Sequence, residues 1–251
     1  MNNVKLSIIT INYNNCAGLK KTIGSVISQD YKNLEYIIID GGSTDKSIEL
    51  IKKYQQHITK WVSEKDNGIS DAFNKGLKYV TGDIVGIINS GDYYRNNVFN
   101  LIMEYFKSSD CDLICGDLGL IQDTQLQKIK KSKVNKIKNY MSICHPTVFF
   151  KSFLYSESGG FSARYRIAMD YDFILRAITN GHKIDYLNCH IAYMELDGVS
   201  NTNEFKGLME SYEIKNKYIN NKLLNKIELL YLIIKSSTKK VMVYFNLYNE
   251  A

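Results

Sequence analysis

The sequence lacks the cysteine pattern of a protein held together by disulfides. It has five cysteines, an odd number, and no two of them form a close Cys-x-x-Cys pair. Disulfide frameworks use paired cysteines and belong to oxidising compartments. We therefore expect a reducing compartment, with Cys111 and Cys115 as core residues of an apolar stretch.

Long apolar runs and a leader sequence are also missing. No apolar run approaches the about 20 residues that a helix needs to cross a bilayer. The first residues, MNNVKLSIITI, enter a strand pattern directly and lack the layout of a signal peptide. These absences predict a cytoplasmic protein.

Common motifs for nucleotides and nucleic acids are absent as well. The first polar turn, INYNNCAGL, has no G-x-G-x-x-G fingerprint, and no P-loop occurs, which disfavours a dehydrogenase or a nucleotidyltransferase. The formal net charge of +6 favours anionic partners, but no recognisable nucleic-acid module accompanies it, so we expect no nucleic-acid partner. His57, His182 and His190 show no metal-ligand spacing.

What the chain does contain is a repeated order of strand, polar turn and helix. Apolar runs over residues 5–11, 34–39 and 84–88 each end in a polar turn, and helical patterns follow the first two. This alternation predicts an α/β fold with a parallel sheet and right-handed crossovers. With 251 residues, 45% of them hydrophobic, one domain with a large core is expected.

Polar residues collect where the predicted strands end. These carboxyl ends share one edge of a parallel sheet, and ligands bind beyond that edge. The acidic and amide side chains expected there are Asn12, Asp40, Glu64, Asp66, Asp71 and Asp92. They suit ribose hydroxyls, a base N–H and a metal, whereas Lys75 suits phosphate. A plain turn after the strand is the alternative for Asp92.

A third helix is predicted from Ser70. Ile69, Phe73 and Leu77 recur every fourth residue and are expected to face the core. Asp71 and Lys75 share another face, which is solvated by default but starts beside the same strand ends.

The chain resembles the family-2 glycosyltransferases, in particular the bacterial polysaccharide and O-antigen type. The resemblance covers about residues 4–200 and rests on four motifs in order, SIITINYNN, IIIDGGSTD, SEKDNGISDAFNKGL and INSGDYY. It implies a GT-A fold, with a Rossmann-like, mostly parallel central sheet and flanking helices. It also implies transfer of a sugar from a nucleotide donor with inversion, using Mn²⁺ or Mg²⁺.

The resemblance implies a donor site along the sheet edge. Asn12 and Asp40 are expected to help hold the nucleobase and ribose, and Asp92 matches the last carboxylate of the family's DxD-like metal motif. The full set implied for the nucleotide sugar is Thr10, Asn12, Tyr13, Asp40, Ser43, Glu64, Asp66, Gly68, Asp71, Lys75, Asn89, Ser90 and Gly91. Family members commonly carry acids where this chain has Asn89 and Gly91, so the diphosphate and water are left to supply the other metal ligands.

The resemblance places the catalytic base in the segment FSARYRIAMDYDFILR. A helix predicted to begin near Asp170 puts this residue in the first turn, where the helix dipole stabilises a carboxylate; a structural cap is the alternative. Family members carry the base here, often after a Glu, where this chain has Met169. Asp172 is the competing candidate, and His145 is a further candidate on the acceptor side.

Together these residues predict an inverting glycosyltransferase. It would move a sugar from a nucleotide-diphosphate donor, expected to be a UDP-sugar, to a hydroxyl of a glycan or lipid-linked acceptor in bacterial surface polysaccharide synthesis. A single displacement needs one base and a group that stabilises the departing diphosphate, and these roles fall to Asp170 and to a cation on Asp92. A catalytically weak nucleotide-sugar-binding protein and another nucleotide-dependent transferase are the alternatives.

We expect a glycosyltransferase domain over residues 1–200, followed by a helical extension over 201–251. The domain divides into a nucleotide-sugar half over 1–95 and an acceptor half over 96–200. Its last residues, ELDGVS, are similar to the family's closing turn.

Two segments are candidates for an anionic membrane surface, which would place the protein on the inner face of the cell membrane. Residues 126–140, the basic segment, carry six lysines and no acid, and a solvated loop or helix face is the alternative. In the extension an apolar stripe recurs at helical spacing, made of Leu223, Leu224, Ile227, Leu230, Tyr231 and Ile234. Core packing is the favoured interpretation of this stripe, and a helix in the membrane interface is the alternative.

Overall fold

The computed structural model describes residues 4–122, 125–195 and 204–249. Its first half consists of β1 (Leu6–Asn12), α1 (Cys16–Ile27), β2 (Leu34–Asp40), α2 (Ser47–Lys53), β3 (Lys60–Ser63), α3 (Ile69–Leu77) and β4 (Ile84–Asn89). The four strands pair in parallel in the order β3-β2-β1-β4. The predicted parallel sheet with crossover helices is confirmed for this half.

Strand β1 sends its side chains alternately into two cores, one on each face of the sheet. Leu6 and Ile8 pack with α1 on one face, whereas Ile9 and Ile11 pack with α3 on the other. Both faces are therefore covered, which is why the strand is apolar almost throughout instead of alternating with polar residues.

The core face of α3 begins one turn later than predicted. Phe73 and Leu77 are buried as expected, but Ile69 is 37% exposed. Ile69 is the first residue of the helix, and the face against the sheet is made by Ala72, Phe73, Gly76 and Leu77. The prediction for Ile69 is wrong, because the four-residue repeat extends past the point where the helix meets the sheet.

The second half continues the same sheet. Its elements are β5 (Tyr93–Tyr94), α4 (Val98–Ser108), β6 (Leu113–Gln122), β7 (Gln125–Lys130), β8 (Phe149–Lys151), α5 (Phe153–Ser158), α6 (Met169–Thr179) and β9 (Ile184–Glu195). From β4 the order runs β8-β6-β9-β5, and β7 pairs with β6.

The sheet is mostly parallel, as expected, and its antiparallel pairs all involve strands of the second half. Strands β6 and β9 are parallel, but β8 is antiparallel to β4 and β6, and β5 and β7 are antiparallel to their partners. A hairpin such as β6–β7 has to be antiparallel, since a parallel pair needs a crossover of about a dozen residues. The sheet is therefore parallel in its first half and mixed in its second.

Two helices follow, α7 (Glu204–Tyr218) and α8 (Lys222–Asn249), in the region predicted to be helical. Helix α7 packs on α6, and its Ile214 is fully buried in the core. Residues 196–200 of the predicted closing turn lie outside the described residues. In the described part of the chain, no helix is both long and apolar enough to cross a bilayer.

The lysines of the basic segment and the side chains of the apolar stripe both lie on the surface. Residues 126–130 of the basic segment form part of the exposed strand β7, not a loop or a helix face. The six stripe residues are between 45% and 72% exposed, and α8 instead turns Asn225 and Leu229 toward the protein. The favoured interpretation of core packing is therefore wrong for this stripe.

Candidate active site

The four parallel strands end level with one another. Asn12 at the end of β1 pairs with Asp40 of β2, and Asp40 pairs in turn with Ser63 of β3. On the other side of β1, Ile11 pairs with Asn89 of β4. This register brings the predicted donor residues to one edge, as the sequence pattern indicates.

The buried carboxylate of Asp40 connects the residues at this edge through hydrogen bonds. Its Oδ1 accepts hydrogen bonds from Asn12 Nδ2 at 2.8 Å and Ser43 Oγ at 2.6 Å, and its Oδ2 accepts from Ser43 N at 2.9 Å and Ser63 Oγ at 2.7 Å. Burial alone would raise the pKa of Asp40, but these bonds outweigh it and lower the pKa. The carboxylate is saturated and fully buried, so it holds the loops in place and leaves ligand contact to its neighbours.

The loop after β1 is joined to the loop after β2. Ser43 Oγ accepts the N–H of Asn14 at 2.8 Å, and Asn14 Oδ1 accepts the N–H of Thr44 at 2.8 Å. Tyr13, on this joined surface, is 66% exposed and free to meet a ligand ring. Thr10 is wrongly assigned to the donor site: it is fully buried, and its hydroxyl shares a 3.0 Å hydrogen bond with Tyr36 on one of the two core faces.

The segment 64–71 is stabilised by its own acids and by Lys75. Asp66 Oδ1 accepts the N–H of Gly68 at 2.9 Å, and Asp71 Oδ2 accepts the N–H of Asn67 at 3.0 Å. Lys75 Nζ contacts Glu64 at 2.9 Å and Asp71 at 3.6 Å.

The contacts of Lys75 leave it little capacity for phosphate. It also donates to the carbonyl of Lys65 at 2.9 Å, so its three N–H donors face three partners. The hydrogen bond with Glu64, more than any other contact, raises the pKa of Lys75. In this structure Lys75 positions the segment, which differs from the predicted phosphate contact.

Asp66 of this segment lies close to Gly41, which follows the end of β2. A Cβ on Gly41 would lie 2.5 Å from Asp66 Oδ2 and 3.3 Å from the Tyr13 ring. Glycine at position 41 therefore lets Asp66 and Tyr13 share one surface with the end of β2.

The turn after β4 is held by α1. Asn15 Nδ2 donates to the carbonyl of Ser90 at 3.0 Å, while the Thr22 hydroxyl donates to the carbonyl of Asp92 at 2.6 Å and accepts the N–H of Gly91 at 3.0 Å. Gly91 has φ +106°, a left-handed conformation that glycine adopts without strain. The turn is thus fixed by Asn15, the N-cap residue of α1, and by Thr22 within that helix.

Asp92 is buried at this turn, and none of the described residues donates a hydrogen bond to its carboxylate. Burial, and secondarily the charge of Glu195, raise the pKa of Asp92 to about 8. Glu195, at the end of β9, forms an ion pair with Lys21. Its role near Asp92 was missed, although it opens the recognised ELDGVS segment.

The oxygen atoms near Asp92 suit a hard divalent cation only in part. Asn12 and Asn89 each have a buried amide oxygen without a partner among the described residues, in addition to the Asp92 carboxylate. Such oxygens are the ligands that Mn²⁺ and Mg²⁺ accept. Within residues 4–122, 125–195 and 204–249, however, no group of three or more His, Cys, Asp or Glu side chains could hold a metal. Any cation here must take further ligands from outside these side chains, such as a bound diphosphate and water.

Asp170 and His145 line one small, apolar cavity with Ile87, Phe150 and Phe161. Asp170 lies in the first turn of α6, as predicted, and accepts the N–H of Tyr171 at 2.8 Å. Burial raises the pKa of Asp170, and the nearby His145 partly offsets this. Burial also lowers the pKa of His145, so the imidazole is neutral at pH 7. The predicted base and the predicted acceptor-side residue His145 therefore line the same cavity.

Asp172 has a different role from the one predicted. It is 1% exposed, and its oxygens contact Arg176 at 3.1 Å and the hydroxyl of Tyr218 at 3.0 Å. These contacts neutralise the carboxylate inside the protein and turn it toward α7. Asp172 is therefore a structural residue and not a competing base.

Helix α3 connects the donor edge with the acceptor half. Asn74 Nδ2 donates to the carbonyl of Phe161 at 2.8 Å, and Asn74 Oδ1 accepts the N–H of Phe161 at 2.9 Å. Ser70 Oγ donates to the carbonyl of Ser162 at 3.1 Å, and Phe73 stacks on the His145 ring at 5.3 Å. The sequence gives no signal for these contacts, since they join residues about seventy to ninety positions apart.

A groove of about 480 Å³ lies between these halves. It is lined by Asn67, Gly68 and Ser70 from the start of α3 and by Tyr165 and Arg166 from the segment before α6. Its volume is in the range of small-molecule sites, which is about 300–1,000 Å³. Tyr165 and Arg166 were missed, because nothing in the FSARYR segment distinguishes them from an ordinary loop.

Comparison with known proteins adds a family and a set of structural neighbours. The family model described as glycosyl transferase family 2 matches residues 7–173. An uncharacterized glycosyltransferase of Mycobacterium tuberculosis is 27% identical over 205 residues, which cover 79% of this chain and 78% of that protein. A PGL/p-HBAD biosynthesis glycosyltransferase of the same species is 26% identical over 203 residues, covering 78% of this chain and 79% of that protein.

Among solved structures, TarS of S. aureus in complex with UDP-GlcNAc is similar with a TM-score of 0.70 and 17% identity, over 90% of this chain and 70% of that one. A mannosyltransferase of Pyrobaculum calidifontis in complex with GDP-Man and Mn²⁺ has a TM-score of 0.68 and 15% identity, over 87% and 65% of the two chains. At these identities the likeness is one of fold.

Proposed function

The chain belongs to glycosyl transferase family 2 and is a glycosyltransferase with a GT-A fold, and from this premise we propose that it transfers a sugar from a nucleoside diphosphate to a hydroxyl group with inversion. The observation that carries the proposal is the extent of the family match, residues 7–173, which takes in the donor loops and Asp170. One displacement at the anomeric carbon needs one base, and one carboxylate lines the apolar cavity.

The donor nucleotide is held at the carboxyl edge of β1 and β2, with UDP as the proposed nucleotide. Tyr13 offers an exposed ring, and Asn12 and Ser43 offer polar groups fixed by Asp40. Segment 64–71, braced by Lys75, closes the ribose and diphosphate side. The UDP, UDP-GlcNAc and GDP-Man bound to the structural neighbours support a nucleotide-sugar donor without distinguishing the base.

Asp92, together with Asn89, would hold the Mn²⁺ or Mg²⁺ ion that accompanies the diphosphate. Such a cation supplies positive charge that stabilises the diphosphate as it departs. Asp92 is suited to this role because its carboxylate receives no hydrogen bond from the described residues. With one carboxylate available, affinity for the cation depends on the donor being bound.

Asp170 accepts the proton of the attacking hydroxyl. Its raised pKa makes it a stronger base than an ordinary carboxylate, and it must be ionised to act. The reaction rate therefore rises with pH through a range above the ordinary pKa of 3.8. The neutral His145 ring beside it, stacked on Phe73, shapes the acceptor side of the cavity.

The test is Asp170→Asn, which keeps the shape of the side chain and removes the proton acceptor. A thermal-shift screen of nucleotide sugars with Mn²⁺ first identifies the donor, since a ligand of the folded state raises the melting temperature. Transfer should then fall by about 10²–10⁴-fold while donor binding is retained.

The matched control for that test is Asp185→Asn, an equivalent change at a carboxylate whose contact is the Tyr105 hydroxyl at 3.3 Å. Wild-type turnover in Asp170→Asn would remove Asp170 from the mechanism. The same losses in both variants would show that the assay reports stability and not catalysis.

The proposed acceptor is a hydroxyl of a glycan or lipid-linked intermediate in bacterial surface polysaccharide synthesis, with O-antigen as one such product. The relative named for PGL/p-HBAD biosynthesis supports a glycolipid-type acceptor. The exposed apolar stripe on α8 supports an acceptor presented at a membrane.

We place this stripe and the basic segment against the anionic inner face of the cell membrane. Asn139 of the basic segment donates to Glu228 of α8 at 2.7 Å, so the end of this segment contacts the helix that carries the stripe. Lys222 and Lys226 are exposed within the same helix. Apolar side chains beside lysines, as Lys222 and Lys226 are here, suit the boundary between acyl chains and anionic headgroups, where each lysine contributes about 1 kcal/mol.

Vesicle sedimentation tests this placement. The full chain should bind phosphatidylcholine vesicles that contain phosphatidylserine at low salt and leave pure phosphatidylcholine vesicles unbound. The triple variant Leu223→Gln, Ile227→Gln, Leu230→Gln should lose binding, whereas Leu101→Gln on α4, also an exposed leucine, should keep it. The membrane placement would be contradicted if the triple variant bound the vesicles as well as the wild type does. It would also be contradicted if light scattering showed a dimer that the triple variant no longer forms.

A further inference from the structure

Helix α7 reaches back to the segment that precedes the proposed base. Glu210 is buried, and its Oε1 accepts a hydrogen bond from the backbone N–H of Arg166 at 3.1 Å. Its Oε2 accepts the N–H groups of Ile167 at 2.8 Å and Ala168 at 2.9 Å. One carboxylate thus satisfies three consecutive amides, and α6 begins at the next residue.

Helix α6 has no capping side chain of its own. Its N-cap residue is Ala168, whose methyl group accepts no hydrogen bond. Helices leave their first amides without internal partners, and Ser, Thr, Asp or Asn at the N-cap commonly satisfy one of them. Glu210, from a helix that is distant in sequence, instead accepts the N–H of the N-cap residue Ala168 and those of the two residues before it. Its negative charge also lies at the positive end of the α6 dipole.

The rest of α7 seats this carboxylate against α6. Gly207 allows a close approach, since a Cβ there would lie 3.1 Å from Ile167 Cγ2. Ile214, one turn after Glu210, is fully buried. Farther along, Tyr218 donates its hydroxyl to Asp172 at 3.0 Å. Helix α7 is therefore fixed to the start of α6 on both sides of Glu210.

We propose that Glu210 is a positioning residue for Asp170, a role that rests on Asp170 acting as the base. Asp170 follows two residues after the last amide that Glu210 holds. Its carboxylate accepts the N–H of its neighbour Tyr171, so its direction follows the position of the first helical turn. Without Glu210 that turn loses its anchor, and the base loses its alignment with the acceptor hydroxyl.

The contact made by Glu210 also extends the proposed active site beyond the region of the family match. The family match stops at residue 173, and Glu210 lies beyond it on the helical extension. Helix α7 is thus a working part of the acceptor site and not only an appendage to it. A misplacement of about 1 Å can lower a rate about a hundredfold, so a contact outside the cavity can control the reaction.

The experiment compares Glu210→Gln with Glu213→Gln in the full chain. The first change keeps the size of the side chain but replaces one acceptor oxygen with N–H donors that face backbone amides. Glu213 is the matched control, because it lies on the same helix and contacts the same segment through an exposed pair with Arg164 at 3.1 Å. Both variants are assayed at a temperature where circular dichroism shows them folded.

We expect kcat of Glu210→Gln to fall by about tenfold or more, while the Kd for UDP with Mn²⁺ and the KM for the donor stay unchanged. Amide hydrogen exchange over residues 166–172 should accelerate in this variant alone. Glu213→Gln should match the wild type in every measurement. Glu210→Asp keeps the negative charge on a side chain that is one methylene shorter, and its kcat should lie between those of the wild type and Glu210→Gln. If Glu210→Gln does not fold, Glu210→Asp takes its place in the comparison.

Equal kcat values for the two Gln variants would overturn the proposal. A loss of UDP binding that parallels the loss of kcat would also overturn it, since that would indicate a general structural role. If the wild type transfers no sugar, the proposed function fails. Unchanged exchange of residues 166–168 in Glu210→Gln would instead overturn the positioning contact, whatever the activity.

Discussion

At the scale of single residues, the number of hydrogen bonds decides what a buried carboxylate can do. Asp40 accepts four, and its pKa is lowered despite full burial. Asp170 accepts the N–H of Tyr171, and its pKa is raised. Asp92 accepts none from the described residues, and burial followed by Glu195 raises its pKa to about 8. Saturated carboxylates organise the structure, whereas unsaturated ones can take a proton or a cation.

Glu35, at the opposite end of the sheet from the donor edge, gives a prediction about stability and pH. Burial alone would raise its pKa, but hydrogen bonds from Lys5, Ser7 and Thr81 bring it from 4.5 to about 2. The stabilisation that this difference represents, about 3 kcal/mol, is present above pH 4.5 and is lost as the pH falls through about 2. Glu35→Gln should therefore unfold at lower denaturant concentration at pH 7, and the gap should narrow between pH 4.5 and 2.

The control for this prediction is Glu104→Gln on the exposed side of α4, which should change the free energy of unfolding by less than about 0.5 kcal/mol. A gap between wild type and Glu35→Gln that stays constant with pH would show that the ionised carboxylate is not the source of the stabilisation.

At the scale of elements, α3 holds the two halves of the molecule together. It packs on β1 and β2 through Phe73 and Gly76, and it binds the segment before α6 through Ser70 and Asn74. Gly76 matters because a Cβ there would lie 2.6 Å from Ile9 Cγ2 and 3.4 Å from Ile39 Cγ1. The helix lies this close to the sheet only with glycine at position 76.

A pair of glycine substitutions tests this packing. Gly76→Ala should destabilise the protein by about 1–3 kcal/mol, because the branched core side chains it meets have little room to move. Gly24→Ala in α1, where no atom lies within 4 Å of the added Cβ, should stabilise it by about 0.4–1 kcal/mol. Thermal or denaturant unfolding measures both, and a stabilised Gly76→Ala variant would contradict the close approach.

Elements that depend on local pattern could be predicted from the sequence, and contacts between distant elements could not. The strands β1, β2 and β4, the start of α6 and the Asp170 site follow from apolar runs, polar turns and motifs. Other features depend on which elements meet in space. They are the strand directions of the second half, the exposure of Ile69 and the hydrogen bond between Asp172 and Tyr218. Thr10 shows the same limit, since its burial against Tyr36 follows from packing and not from its motif.

At the scale of the whole molecule, one sheet carries both the proposed donor edge and the proposed acceptor site. Its parallel half presents the loops around Asp40 and Asp92, and its mixed half supports His145 and Asp170. A ligand that spans both halves adds contacts that the unfolded chain cannot make. Ligand binding should therefore stabilise the chain as a whole.

Asp92→Ala tests this linkage for the proposed cation. In wild type, UDP with Mn²⁺ should raise the melting temperature more than UDP alone, with about 2.7 kcal/mol of stabilisation when the ligand is at a hundred times its Kd. In Asp92→Ala the Mn²⁺-dependent increment should disappear, while the effect of UDP alone should persist. Calorimetry that gives equal affinities for both proteins with Mn²⁺ would exclude Asp92 as a ligand.

The two halves of the sheet are linked by one short strand, β8 (Phe149–Lys151). Strand β8 pairs with β4 through three residues and with β6 through two. Few paired residues therefore connect the two halves of the sheet at β8, and a change in the twist between the halves would disturb few hydrogen bonds there. The loops of Asp40 and Asp92 lie on one side of β8, and α6 lies on the other. A small change in the twist at β8 would therefore change the distance between the proposed donor site and Asp170. The length of β8 therefore bears on how firmly the sheet fixes the distance between the proposed cation site and the proposed base.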